Sequence, residues 1–433
     1  MKRTPYLFTL LLFSVTILCW SCNDKISRSL FKPATPHETY AEQLKNAGLT
    51  ESALYRTWME SAERSLRQPV SVSVPYLEKG FFSSELPEAV GLVFEARQGE
   101  QLNVRLRIQS ADSTRLFMDL FEYPIDTASR PKHLVSAKAG DSTLSYDIDE
   151  NARYLLRVQP ELLATVSYDL QLTAGPSLEH PVAKGTKNNI GSFWGVARDA
   201  GQRRHEGIDI FAARSTPAVA AADGVISRVG TNNLGGKVVF LRPDGRGINL
   251  YYAHLDSQLV VSGQQVKIGD TIGLIGNTGN AITTAPHLHF GIYTNNGAVD
   301  PLPFIRPGKS TAAKVISNSN RLGDTMRIMT KQANLQKNTP LRLEAAIQNG
   351  YRVILPNRQK TFVLQQALQP ISSAIRTLRM DSASVVYTAP NSMSAQVQPT
   401  IKGPGVKVIG EYQGYYLIEQ ANNRGWISRE GLN

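Results

Sequence analysis

Cysteine is nearly absent from this 433-residue chain: Cys19 and Cys22 are the only two, and both lie in the first apolar stretch. A disulfide scaffold is thereby excluded, and so is a metal site built on thiolates. The uncharged run from Tyr6 to Cys19 is too short to span a bilayer comfortably. Histidine is sparse, seven in all, and none falls in residues 308–433. Apolar residues make up 42% and charged residues 19%, ordinary globular values that exclude wholesale disorder. The length corresponds to about three domains.

Positive charge is abundant but unevenly placed. Residues 1–179 carry a net charge of −3 and residues 180–307 a net +4, whereas residues 308–433, with 16 basic and 6 acidic side chains, carry +10. A basic tail suits a polyanion: nucleic acid, a lipid surface or an anionic wall polymer. It equally suits a plain soluble surface.

The N-terminus is an address. Lys2 and Arg3 precede an apolar core of signal-peptide length. Ser21, a small residue directly before Cys22, resembles a bacterial lipoprotein processing site, although an aliphatic residue is expected where Cys19 stands. Residues 1–22 therefore read as a lipoprotein-type signal region, expected to be cut before Cys22, which becomes the lipidated first residue of the mature chain. Ordinary cleavage at Cys19-Trp20-Ser21 is the alternative. Either route exports the protein and removes nucleic acid as a partner.

Residues 23–69 read as a tether followed by helix. Thr35, Pro36 and Glu38 form a helix start with a capping box, Gly48 interrupts, and Thr50 restarts. Leu54, Trp58, Ala62 and Leu66 then share one helical face suited to packing on a neighbouring domain. Over 70–174 the period changes to two: Leu102, Val104, Leu106 and Ile108, then Leu116, Met118 and Leu120, then Val166, Tyr168, Leu170 and Leu172. That pattern predicts an antiparallel β-sandwich acting as a spacer or adhesion module. A linker at Ala174–Ser177 leads to a Gly-rich, strand-like segment over 186–307.

The C-terminal part repeats at an offset of 64: Asn349-Gly350-Tyr351-Arg352-Val353-Ile354 returns as Gln413-Gly414-Tyr415-Tyr416-Leu417-Ile418. The repeat predicts two small β-barrels, 316–371 and 376–433. The second, with Gly425-Trp426-Ile427-Ser428, resembles the bacterial SH3-like domains of cell-wall proteins, whereas the first diverges, with Thr361-Phe362 in place of Gly-Trp. Tyr415, Tyr416 and Trp426 are the candidates for wall contact.

Four of the seven histidines, His205, His254, His287 and His289, fall within 85 residues. His205 and Asp209 stand four apart, and His287 and His289 two apart, which on a strand puts both imidazoles on one face. Neutral imidazole and carboxylate suit Zn²⁺, and three protein ligands leave a fourth position for water.

With Phe193-Trp194-Gly195, the His-x-x-x-Asp pair, Ala253-His254-Leu255, Gly276-Asn277-Thr278-Gly279 and Pro286-His287-Leu288-His289-Phe290 in this order, about 120 residues resemble the lysostaphin-type (LytM-like) zinc metallopeptidases, which hydrolyse peptide bonds of peptidoglycan. The resemblance implies a mostly antiparallel sheet with a groove, one Zn²⁺ held by His205, Asp209 and His289, and catalytic roles for His254 and His287. The Gly276–Gly279 turn and the Thr231–Gly236 segment would be loops near that groove. Glu206, next to a ligand, ranks lower as a base because its side chain points elsewhere.

The chain is thus expected to be a mostly β, multidomain protein. Its expected function is that of an exported, lipid-anchored zinc endopeptidase of peptidoglycan, with no obligate protein partner evident. A non-catalytic wall-binding regulator and a zinc endopeptidase of glycine-rich proteins are the alternatives.

Overall fold

The computed structural model describes residues 33–109, 114–126, 128–183, 190–306, 311–332, 334–421 and 423–430. The leader and Cys22 lie outside the described residues. Among the described residues no helix is long and apolar enough to cross a membrane.

Helix α1 (Pro36–Asn46) begins as its sequence dictates: the Glu38 N–H donates to Thr35 Oγ1, and the Thr35 N–H donates to the Glu38 carboxylate. Helix α2 (Ala53–Arg67) starts two residues later than Thr50 implies, because Ser52 is the residue whose hydroxyl accepts a first-turn N–H, that of Tyr55. Trp58 and Ala62 are buried, while Leu54, at the helix start, is exposed. The buried face packs on strands Val90–Ala96 and Ala152–Pro160, and Trp58 Nε1 donates to the Pro160 carbonyl at 2.8 Å.

The alternating segments form two facing sheets. Leu102, Val104 and Leu106 meet Leu116, Met118, Leu120, Val166, Tyr168, Leu170 and Leu172 in one core, whereas Ile108, near its strand end, is exposed. Val90–Ala96, Ala152–Pro160 and Leu116–Tyr123 lie in one five-stranded sheet, and Tyr76–Phe82, Val166–Pro176 and Glu100–Gln109 lie in the other.

Residues 190–305 form a ten-stranded sheet over a core of their own, in which Ile208, Leu250, Tyr252, Leu288 and Phe290 are fully buried. Its central run is Ile208–Phe211, His287–Thr294, Ile248–Gln258 and Gly236–Pro243, each antiparallel to the next. This arrangement places His254, His287 and His289 on two neighbouring strands, with His205 just before a third.

The two C-terminal copies have different fates. The second closes as a four-stranded barrel of Arg376–Tyr387, Gln396–Tyr412, Tyr415–Gln420 and Asn423–Ser428. The first departs from the expected separate barrel. Its strand Pro340–Ala346 pairs with Tyr76–Phe82 of the sandwich, Lys79 opposite Ala346 and Gly80 opposite Ala345, and one nine-stranded sheet runs through both units.

The physical reason lies in Arg352, which stands where the second copy has Tyr416. Its side chain, 1% exposed, donates to both oxygens of Glu78 at 3.1 Å, to the Tyr168 hydroxyl at 3.0 Å, and to Glu344. Lys360 spans Glu344 and Glu88. Burial opposes charge on Glu78, but the Arg352 guanidinium outweighs it and holds the carboxyl below its usual range. A buried arginine needs buried carboxylates, and the sandwich supplies Glu78 beside the copy's own Glu344.

Candidate active site

Asp209 sits on strand Ile208–Phe211 directly opposite His289 on strand His287–Thr294, and Phe211 sits opposite His287. Cross-strand partners share a face, as do residues two apart. Asp209, His287 and His289 therefore converge on one groove, as the spacing predicts. His205 enters from the segment before the strand. Its backbone is pinned by two hydrogen bonds at 2.9 Å, with Gly195 and Val196.

Three donor atoms form a near-equilateral triangle. His205 Nε2 lies 3.1 Å from Asp209 Oδ1 and 3.0 Å from His289 Nδ1, and His289 Nδ1 lies 3.0 Å from Asp209 Oδ1. A tetrahedral ion with bonds of about 2.0–2.1 Å needs ligand separations of roughly 3.3 Å, so the triangle is closed to within a few tenths of an ångström. The tautomer of His205 also suits a metal. Its Nδ1 faces the Phe193 carbonyl at 2.9 Å and so carries the hydrogen, leaving the Nε2 lone pair aimed into the triangle. The three residues fit a cation.

Electrostatics agree with that fit. Burial works against charge on Asp209, but the adjoining His205 and His289 imidazoles outweigh it and hold the carboxyl far below its ordinary range. Burial pushes His289 down, toward the neutral form that ligates.

His254 reaches the groove by an irregularity. Tyr251 and Ala253 point into it, so strict alternation would turn His254 to the opposite face. Between Tyr252 and Leu255, however, the strand carries one residue more than its partner segment Val239–Lys237, a β-bulge, and His254 adopts a left-handed backbone at φ 62°. The bulge re-aims the imidazole toward the cleft. Its N–H donates to the Gly235 carbonyl at 2.7 Å, and its carbonyl accepts from Gly276 at 3.1 Å. His254 Nδ1 donates to the Thr278 carbonyl at 2.8 Å, so Nε2 is the bare nitrogen. Burial lowers its pKa to about 4, against the raising effect of that bond. His287 Nδ1 likewise donates to the Ala285 carbonyl at 2.9 Å, and the two rings stand 4.9 Å apart.

Two features escaped sequence reasoning. Arg198 Nη2 donates to Asp209 Oδ2 and to Ser192 Oγ, both at 2.7 Å, fixing the carboxylate whose other oxygen faces the histidines. Gly207 lies against His289: a Cβ there would stand 2.7 Å from Cε1 and Nε2 of that ring. The repeated Gly-rich run gave one signal, since Gly236 and Gly279 meet backbone to backbone and join the two expected loops beside the groove.

The groove has a volume of about 950 Å³, and all its described lining lies between Ser192 and Tyr293. Glu206 is exposed at its rim, 3.5 Å from the Tyr293 hydroxyl. The wall-contact candidates lie elsewhere: Tyr416 and Trp426 are buried in the barrel, and Tyr415 is partly buried.

Residues 203–301 match the family model for Peptidase family M23. This segment is an M23 peptidase domain. An uncharacterized metalloprotease of Haemophilus influenzae is 44% identical over 110 residues, 25% of this chain and 22% of that protein. The peptidoglycan DD-endopeptidase ShyC of Vibrio cholerae is 40% identical over 93 residues, 22% of this chain and 21% of that protein. The chain thus spans about a fifth of the length of these relatives. The solved catalytic domain of the antimicrobial peptidase lysostaphin from Staphylococcus simulans is 35% identical, with 27% of this chain and 92% of that domain covered at a TM-score of 0.25.

Proposed function

We propose that this protein is an exported zinc metallo-endopeptidase that hydrolyses peptide bonds in peptidoglycan cross-links or stem peptides. A lipid on Cys22 would hold it in the cell envelope, and the basic C-terminal part would favour an anionic wall. The observation that carries the proposal is the closed triangle of His205, Asp209 and His289 beside two imidazoles whose bare nitrogens face the same groove. The names of the M23 relatives support the substrate class.

Zinc held by the three donors would polarise a peptide carbonyl and lower the pKa of a coordinated water toward about 7. The chain's own groups do the rest. His254 Nε2, neutral and bare, accepts the proton released as a water oxygen bonds to the carbonyl carbon. His254 can return that proton to the departing amine, and His287, on the same side, can stabilise negative charge on the carbonyl oxygen once its Nε2 also carries a proton. The exchange balances: the C–N bond breaks, the acid keeps the new oxygen, and the amine leaves with one proton. Arg198 keeps Asp209 oriented.

The test is digestion of purified peptidoglycan with mass spectrometry of the products. New amine and carboxyl termini should appear with zinc and vanish with a chelator. Unchanged peptidoglycan under zinc-replete conditions would overturn the proposal.

A further inference from the structure

A second cavity, about 580 Å³, opens where residues 334–339 and the Leu355–Phe362 turn of the first C-terminal copy meet the 411–414 hairpin tip of the barrel. Its walls are braced. The Glu411 N–H donates to the Asn338 carbonyl at 3.0 Å. Arg327 Nη1 donates to the Ser373 carbonyl at 2.6 Å and the Ile409 carbonyl at 3.1 Å. Gly410 approaches so closely that a Cβ would stand 2.9 Å from Pro340 Cγ. Asn338 and Gln413, on facing walls, both hold left-handed backbone, at φ 69° and 44°. Gln413 and Gly414 form the two-residue tip of their hairpin, a turn that calls for this backbone, and asparagine adopts it readily, so the bracing rests on the hydrogen bonds and the Gly410–Pro340 contact. The cleft is therefore a preformed site and not a gap between loosely joined units.

Its lining selects a chemistry. Primary amides come from Gln336, Gln359 and Gln413, all exposed, and each offers a donor and an acceptor. Two partly exposed aromatics, Phe362 and Tyr412, supply flat faces with negative character. Lys337 and Arg429 are exposed cations against one acid, Glu411. Lys360 also lines the cleft, but Glu88 and Glu344 already hold it. Hydroxyl and acetamido groups match amides in both directions, and the C–H face of a sugar ring suits an aromatic face. The surplus cation favours a carboxylate. An apolar ligand would leave the amides unpaired.

We infer that this cleft binds an N-acetylated glycan carrying carboxylate substituents, at a site distinct from the hydrolytic groove. The inference rests on the peptidoglycan reading only for where such a glycan is met. It also replaces the buried Tyr416 and Trp426 as the recognition surface of the C-terminal part.

Isothermal titration of the full mature chain tests it, with two probes: the tetramer of N-acetylglucosamine, and the disaccharide of N-acetylglucosamine and N-acetylmuramic acid. The disaccharide, with its lactyl carboxylate, should bind more tightly per sugar. Gln336→Ala with Gln359→Ala should weaken both probes about tenfold or more. Lys337→Glu should abolish the preference for the carboxylate. These exposed changes should leave the melting temperature and the cleavage of a short soluble peptide unaltered. Three results would overturn the inference: equal affinity in wild type and variants, no binding of either sugar at millimolar concentration, or binding only of a sugar-free stem peptide. Sugar binding by a chain that cuts no peptide would leave this site standing and count against the peptidase reading instead.

Discussion

Gly207→Ala offers the sharpest test of the metal site, because it touches no ligand chemically. An added Cβ would lie 2.6 Å from the Phe290 carbonyl oxygen and 2.7 Å from Cε1 and Nε2 of His289, where ordinary contacts begin at 3.4 Å. If the ring yields, it must retreat by about 0.7 Å, whereas metal–ligand distances hold to about ±0.2 Å. Gly207 is outside the left-handed region, so alanine meets no backbone penalty and the effect is purely steric. The variant should fold, at an overpacking cost of about 1–3 kcal/mol. Its zinc affinity should fall at least as far as when an orienting partner of a ligand is lost, about 10–100-fold. Chelator competition measures that affinity, peptide hydrolysis at saturating zinc measures what the ion restores, and circular dichroism monitors the fold. Gly247→Ala, where a Cβ meets nothing within 4 Å, is the control and should behave as wild type. A folded Gly207→Ala protein with wild-type zinc affinity would refute the placement of His289 in the ligand set.

Asp209→Ala should lose the metal by elemental analysis, and full occupancy would remove it as a ligand. His254→Ala and His287→Ala should keep zinc yet lose about 10²–10⁴-fold in hydrolysis rate, the usual range for acid–base groups; wild-type turnover in either excludes that histidine. Arg352→Met should cost about 3–5 kcal/mol in chemical unfolding because Glu78 is left buried and unpaired; adding Glu78→Gln should recover most of it, and a loss near zero contradicts the network's role. His37, stacked on Trp58, is pushed down to about 4, first by burial and then by the Arg157 guanidinium. An unfolded histidine binds its proton near pH 6.5, so this contribution is complete above pH 6.5 and is lost as pH falls toward 4, by about 3 kcal/mol. Unfolding curves across that window should show the slope in wild type and a flatter one in His37→Phe; equal slopes would acquit His37.

The shared face of His287 and His289 was legible because it obeys the strand period, whereas the candidate ligand set of His205, Asp209 and His289 came from the resemblance. His287 and His289 are two apart, and Asp209 needs only to be opposite one of them. His254 was legible by resemblance alone, since alternation from Tyr251 and Ala253 assigns it to the wrong face and only the bulge corrects this. Arg198 left no trace, because a single arginine in an irregular segment has no period to betray its direction. The helical stripe was correct where it met the sandwich, at Trp58 and Ala62, and failed at Leu54, whose turn reaches past the strands it was meant to cover.

The divergence of the first C-terminal copy has a cause that its own sequence cannot contain. A barrel position that is Tyr416 in one copy is Arg352 in the other, and within a 64-residue window the change looks like surface drift. Its meaning appears only when Glu78, 274 residues earlier, is placed beside it. Gly80 belongs to the same arrangement, since a Cβ there would stand 2.1 Å from the Tyr168 ring that reaches Glu78. The sandwich therefore carries a buried acid for which the first copy supplies the base, and each would bury an uncompensated charge without the other. The first copy is thus tied to the sandwich by this network and to the final barrel by the Arg327 and Glu411 hydrogen bonds, so the change of composition near 308 does not mark how the units pack. The candidate hydrolytic groove is lined by residues between Ser192 and Tyr293, the first copy pairs with the sandwich, and the final barrel shares a braced cleft with the first copy, so removing the barrel would open that cleft as well as shorten the chain.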